Sequence, residues 1–226
     1  MATPIGNLQD VSYRAVKTLF AVDVIACEDT RRMGIFLQQI NKLQGEPPVA
    51  RPGLLSYFEH NELRRIPEII TMLLEGKHIA LASDAGTPAI SDPGFKLIRA
   101  CVEQGITVEA IPGPSSVIAA LVVSGLPTDK FLFIGYLPHK ESHARKTLES
   151  LTSISAIMKT TIILFEAPHK IIKTLERMQE VLEDKEIVIC RELTKMYEET
   201  MRGTISTVLE ELRKQKPKGE MVVLFR

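Results

Sequence analysis

The 226-residue sequence has no tryptophan, only 5% aromatic residues, three cysteines and no surplus of either charge, with 28 Lys plus Arg against 28 Asp plus Glu. Balanced charge removes the long-range basic field that many nucleic-acid binders use, so any contact with a polyanion must come from a local basic patch. Cys27, Cys101 and Cys190 are odd in number and widely separated. They suit small buried hydrophobes in a reducing compartment, with the cytoplasm as the default, better than a disulfide framework. No apolar run approaches the ~20 residues of a membrane helix, and no charged region followed by an apolar signal core is present. The histidines at 60, 78, 139, 143 and 169 lack metal-ligand spacing with the cysteines, so no metal site is expected.

What is present is an ordinary globular composition, 45% hydrophobic and 25% charged, arranged as strand-like runs alternating with helix-like segments. This is the pattern of an α/β protein. Val22 to Cys27 and His78 to Ala82 read as short buried strands. The spacing of Ile66, Ile69, Ile70, Leu73 and Leu74 predicts a helix over 61–75 ended by Gly76, and residues 93–105 predict another, with Pro93 at its start and Gly105 at its end. Thr107 to Ile111 reads as a further strand running into Pro112-Gly113-Pro114-Ser115-Ser116, which places a domain boundary after Pro112. Beyond it, strands are expected over 131–136, 161–165, 187–190 and 221–225, with helices near 141–152, 169–182 and 206–214. Met1-Ala2 leaves little room for a strand before the turn at Thr3-Pro4, so the first strand reads as shortened.

Polar residues gather where strands end. The first turn, ATPIGNLQD, is not the GxGxxG of a dinucleotide fold, so it suits a ligand without phosphates rather than a phosphate cradle. Ser83 to Gly94, SDAGTPAISDPG, sets small residues, two aspartates and two prolines after a buried strand, at the edge where open α/β sheets bind ligands. A plain connection with two Asx-turns is the alternative. Glu28-Asp29-Thr30-Arg31-Arg32 and Glu59-His60-Asn61-Glu62 put charged groups on the same edge. Capping by Asp29 or Thr30, and by Asn61, is the simpler reading of those positions. In the second half, FEAPHK at 165 and RELTK at 191 also follow strands, and Arg191 with Glu192 reads equally as a structural pair. Lys140, His143, Arg145 and Lys146, with Arg202 and the KQKPK stretch at 214–218, are the candidate basic surface, although a solvated charged face is the commoner meaning of such positions.

Taken together, ATPIGNLQD, EDTRR, SDAGTPAISDPG, IPGPSS, FEAPHK and RELTK resemble the tetrapyrrole methylase superfamily, and within it the ribosomal RNA small-subunit methyltransferase I branch. The resemblance spans nearly the whole chain. It implies two α/β domains, 1–112 and 113–226, with S-adenosylmethionine in the interdomain cleft, usually in a homodimer. It also implies 2′-O-methylation of a cytidine in the decoding region of small-subunit (16S) rRNA. Carried over by motif, cofactor contacts fall to Pro4, to Asp84, Ala85, Gly86 and Thr87, and to Ser115 and Ser116, with backbone near Phe165, Cys190 and Gly219 from the second domain.

For the reaction, positioning of the acceptor oxygen in line with the donor dominates, and a base assists by taking the hydroxyl proton. Glu28, Asp29, His60, Asp92 and Glu166 are the unranked candidates. Arg31, Arg32, Arg191, Lys195 and Arg202 are the expected RNA clamps. Two alternatives stay open: a superfamily methyltransferase acting on a tetrapyrrole or a modified protein residue, and a nucleotide-binding regulatory module without turnover.

Overall fold

The computed structural model describes residues 1–44, 51–214 and 216–226, so Gln215 of the KQKPK stretch lies outside the described residues. Contacts divide the chain into Met1–Ser115 and Ser116–Arg226, a division after Ser115 where the sequence placed it after Pro112.

The first unit is built on a three-stranded parallel sheet ordered β2-β1-β3. Its elements run α1 (Tyr13–Ala21), β1 (Val24–Cys27), α2 (Thr30–Gln44), β2 (Gly53–Ser56), α3 (Glu62–Leu74), β3 (Ile79–Ala82) and α4 (Phe95–Glu103). Strand side chains alternate between faces, and β1 shows the result. Ile25 and Cys27 pack with Val16, Leu19, Met33 and Ile40 on one face, while Ala26 packs with Tyr57, Ile69, Leu97 and Cys101 on the other. Both faces are therefore covered by helices, as a parallel sheet requires. All three strands end at one edge, which is where the candidate loops begin.

Residues 107–111 do not form a strand. A strand exists only by pairing, and the one backbone hydrogen bond to this segment among the described residues runs from Ala2 N to Ile111 O at 3.2 Å. Val108 is 48% exposed. The first residues instead join the end of β3: the Met1 amine donates to Leu81 O at 2.7 Å, and Thr3 and Gly86 exchange backbone bonds of 2.9 and 3.0 Å.

The second unit carries α5 (Ser116–Ser124), β4 (Phe131–Tyr136), α6 (Glu141–Met158), β5 (Thr161–Glu166), α7 (Ile171–Leu182), β6 (Glu186–Arg191), β7 (Glu199–Thr204), α8 (Ile205–Lys214) and β8 (Met221–Phe225). Its mixed sheet is ordered β4-β5-β8-β6-β7, with β4 and β5 parallel and the other pairings antiparallel. Strand β8 is central and buried along its whole length. Strand β7 escapes the sequence reading because it is an edge strand of mostly polar residues, ETMRGT, with Met201 as its buried side chain. Helix α6 runs past the expected 152 to Met158 and stops where Lys159 turns left-handed at φ 51°. Among the described residues, no helix is long and apolar enough to cross a membrane.

Gly94 tests this packing. At φ +145° a side chain is strained, and a Cβ there would meet Leu81 Cδ2 at 2.8 Å and Ala89 Cβ at 3.3 Å. Gly94→Ala should lower the unfolding free energy by about 1–3 kcal/mol, the range for a strained backbone position. Gly105→Ala, at φ +68° with open space around it, should fall at the low end of that range. Urea denaturation of both variants measures the difference, and equal losses would remove the steric argument.

Candidate functional site

The strand-end edge of the first unit is held by one carboxylate. Asp84, just past β3, accepts through Oδ1 from Asp29 N at 3.3 Å and through Oδ2 from Arg32 Nη1 at 3.0 Å. Its own N–H donates to Glu28 Oε1 at 3.2 Å. Glu28 and Asp29 follow β1, and Arg32 lies in the first turn of α2, so the loop after β3 is tied to the turn after β1. Asp29 in turn starts α2, its Oδ1 accepting from Arg31 N at 2.8 Å and Arg32 N at 3.4 Å. Arg31 grips the same carboxylate with Nε at 3.1 Å and Nη2 at 2.8 Å. The Arg31 hydrogen bonds hold Asp29 well below the ordinary aspartate range. A carboxylate of such low proton affinity makes a good cap and a poor base.

The loop over 83–94 is strained and braced. Gly86, Ala89, Ser91 and Gly94 all have positive φ, at 81°, 67°, 60° and 145°, and strain of this kind persists only where its surroundings enforce it. The bracing is visible: Ser83 Oγ donates to Gly86 O at 3.2 Å, Thr3 Oγ1 to Ser83 O at 3.0 Å, and Thr87 Oγ1 to Pro114 O at 3.2 Å. The last bond ties this loop to the IPGPSS segment. Pro4, Asp84 to Thr87 and Ser115 thus sit on loops that are bonded together, and Ser116 begins α5 of the second unit.

The electrostatics of this edge select among ligands. Cys27, the last residue of β1, has its thiol pushed up to about 12, first by burial and then by Asp84, Asp29 and Glu28. Asp29 and Asp84 are paired with Arg31 and Arg32, so among these groups the edge offers a di- or triphosphate no uncommitted cation and Glu28 leaves it acidic, which suits a cationic, phosphate-free ligand. Small side chains at Ala85 and Gly86 let such a ligand approach the backbone, and a Cβ at Gly86 would meet Ile5 Cγ2 at 3.4 Å. The residues present therefore fit a sulfonium nucleoside such as S-adenosylmethionine.

The remaining candidates are placed differently. His60 is exposed and stands edge-on to Phe58, with centroids 6.2 Å apart. Asp92 lies near the end of the strained loop. Glu166 is 5% exposed and turned to structure, accepting from Ala167 N at 2.8 Å and Thr174 Oγ1 at 2.5 Å. Asn61 makes no side-chain cap to α3. It closes the preceding turn instead, accepting from Phe58 N at 2.8 Å and donating to Ser56 O at 3.1 Å.

In the second unit, RELTK forms its own network. Lys195 Nζ contacts Glu192 Oε1 at 3.0 Å and Glu220 Oε2 at 2.9 Å. Burial, the largest single influence, would raise the Glu192 carboxyl, but the Lys195 hydrogen bond, the Glu220 N–H and the Lys195 and Arg191 charges together outweigh it and lower it below the ordinary range. Glu192 and Thr194 have positive φ, 50° and 65°, and a Cβ on Gly219 would fall 2.4 Å from Glu192 Cγ. Arg191 pairs with Glu199 at 2.5 Å, its neighbour across the β6–β7 ladder. Arg202 donates to Ser124 O at 3.0 Å and to Val123 O, which closes the carboxyl end of α5. Cys190 is buried, with its thiol shifted upward by burial. Phe165 stacks edge-on against Phe133 at 4.8 Å.

One constellation was not legible in the sequence. Buried Glu62 accepts from Tyr57 OH at 3.3 Å and pairs with Lys96 Nζ at 2.5 Å, at the end of β2 and the starts of α3 and α4. Burial, then the Glu62 charge, pushes the Tyr57 hydroxyl far above its ordinary value. Glu62 stands in the EHNE motif, but no local spacing links it to Lys96.

Comparison with known proteins agrees with this geometry. The family model for Tetrapyrrole (Corrin/Porphyrin) Methylases matches residues 2–209. The chain is 43% identical over 225 residues to a ribosomal RNA small subunit methyltransferase I of Thermotoga maritima, covering 100% of this chain and 96% of that protein. It is 46% identical to one from Hydrogenobaculum sp., covering 99% and 92%. Among solved structures, the methyltransferase CobJ superposes with a TM-score of 0.67 at 18% identity, covering 98% and 90%. A uroporphyrin-III C-methyl transferase of Thermus thermophilus, complexed with S-adenyl homocysteine, superposes at 0.60 and 14%, covering 99% and 94%. At those identities the structures speak to the fold alone. The strained strand-end loops, the family match over residues 2–209 and the high-identity relatives converge: the chain belongs to the tetrapyrrole methylases, and within them to the ribosomal RNA small subunit methyltransferase I family.

Proposed function

We propose that this S-adenosylmethionine-dependent methyltransferase methylates the 2′-hydroxyl of a cytidine ribose in the decoding region of small-subunit (16S) rRNA. The observation that carries the acceptor is the 46% identity, over 99% of the chain, to a protein named for small-subunit rRNA. The small ribosomal subunit is then the partner in the cytoplasm, and the family resemblance adds a homodimer.

S-adenosylmethionine supplies an electrophilic methyl on a sulfonium. The protein's residues bind and orient. Pro4, the backbone of Asp84 to Thr87, and Ser115 and Ser116 are the proposed cofactor contacts. Phe165, Cys190 and Gly219 are added on the strength of the family resemblance. Asp84 is a positioning residue, because its carboxylate is spent on Asp29 N and Arg32. Asp29 is committed to α2 and Arg31, and Glu166 to its own turn; Glu28, His60 and Asp92 stay unranked candidates for taking the ribose proton. Arg31 and Arg32, although their side chains are 87% and 73% exposed, are paired with Asp29 and Asp84 and would have to give up those carboxylates to meet a phosphate. Arg191, Lys195 and Arg202 shape the second unit through Glu199, through Glu192 and Glu220, and through the carbonyls ending α5.

Two measurements test this reading. Asp84→Ala unties the loop after β3 from the turn after β1, so donor affinity by calorimetry should fall at least tenfold, about 1.4 kcal/mol, while far-UV circular dichroism stays unchanged. Undiminished affinity would sink the assignment of this loop. Separately, small subunits lacking the modification, incubated with methyl-labelled donor and digested to nucleosides, should yield label in 2′-O-methylcytidine. Label on a base, or none in rRNA with donor bound, would refute the acceptor.

A further inference from the structure

The five cations expected to clamp RNA are each engaged inside the chain: Arg31 by Asp29, Arg32 by Asp84, Arg191 by Glu199, Lys195 by Glu192 and Glu220, and Arg202 by the carbonyls ending α5. Arg145 of α6 is also neutralised, by Glu149 at 3.2 Å and Glu180 at 3.3 Å. In a chain of zero net charge, a polyanion needs cations that are not already paired.

Such cations stand where β4 and β5 hand over to helices. These strands are parallel neighbours, and Tyr136 pairs with Phe165 at their ends, so the turns 137–140 and 167–170 leave the sheet at the same edge. The first carries His139 and Lys140 and the second His169 and Lys170; Lys170 Nζ lies 3.1 Å from His139 Nδ1. Among the described residues no carboxylate pairs with Lys140 or Lys170. The nearest acidic groups in sequence are otherwise engaged, Glu141 with Lys173 at 3.8 Å and Glu166 with Ala167 N and Thr174.

Local rules are broken at both turns in the same way. Lys140 and Lys170 occupy the N-cap positions of α6 and α7, 18 and 12 residues long, and neither makes a side-chain cap. A cation at the positive end of a helix is unfavourable, and a stability rule broken twice on adjacent elements points to a functional demand. Beside the turns, Tyr136 is 58% exposed and packs edge-on to Phe165 at 5.7 Å. Unneutralised lysines next to an exposed aromatic ring match the needs of a single-stranded RNA contact.

We infer that the turns entering α6 and α7 dock the phosphodiester backbone of the RNA substrate, with Lys140 and Lys170 as the phosphate ligands. This rests on the RNA reading above. Each lysine that releases a counterion contributes about 0.7 to the slope of log affinity against log salt for a single strand.

The test is equilibrium binding of the full chain to small-subunit rRNA over a series of salt concentrations. Lys140→Gln/Lys170→Gln should make the slope shallower by about 1.4, which weakens binding roughly 25-fold at 0.1 M salt relative to 1 M. Donor affinity and melting temperature should be unchanged. Lys140→Arg/Lys170→Arg should restore the slope, and Arg145→Gln, a paired cation on the same helix, should leave it unaltered. A steep wild-type slope that the glutamine variant retains would overturn this site while leaving the RNA reading intact. Absence of any wild-type affinity for rRNA would overturn the RNA reading itself. Unchanged rRNA binding with lost binding to polyglutamate would assign the turns to an acidic protein instead.

Discussion

Asp84 sets the geometry on which the first unit's loops depend. Its two oxygens and its own N–H hold Arg32, Asp29 and Glu28 at once, so the turn that launches α2 and the loop after β3 cannot move independently. The strained backbone at Ala89 and Ser91 is held within that framework, and so is the small-residue approach at Ala85 and Gly86. Removing any one hydrogen bond costs little in water; removing the carboxylate releases Asp29 N and Arg32 together, leaving only the backbone bond to Glu28, which is the basis for proposing it as a positioning group.

Local charge, rather than net charge, governs what the protein can bind. Around the end of β1, burial first and then the carboxylates of Asp84, Asp29 and Glu28 raise the Cys27 thiol to about 12, and with Asp29 and Asp84 paired to Arg31 and Arg32 that edge offers a phosphate no uncommitted cation among these groups. In the second unit the pattern reverses at the starts of α6 and α7, where lysines sit unneutralised. On the proposed reading, a chain whose charges sum to zero holds a cationic donor on one element set and meets an anionic acceptor on another. Long-range attraction is weak in such a design, so recognition must come from shape and short-range contacts on the ribosomal particle.

Residue order alone was enough for the α/β class, for most strands and helices, and for the family, because periodicity and strand-end motifs are local properties of the chain. The strands at 131–136 and 221–225 match their expected bounds, since buried apolar runs declare themselves. The cofactor class followed likewise from loops in a set order without a phosphate fingerprint. Strand β7 did not declare itself, because an edge strand can be polar on most positions and still pair. Residues 107–111 misled for the converse reason: strand-like composition makes a strand only when a partner completes the ladder, and pairing is non-local. The roles of charged side chains were decided by which partners the fold supplies, some beside them in sequence and some far away. Asp29 spends its carboxylate on a helix start and on Arg31, Glu166 spends its own on Ala167 and Thr174, Glu62 finds Lys96 across the end of the sheet, and Arg202 finds the end of α5. A motif names the groups available at a strand end; which of them remain available for a ligand depends on the hydrogen-bond partners that folding supplies, and for Glu62 and Arg202 those partners lie 34 and 78 residues away.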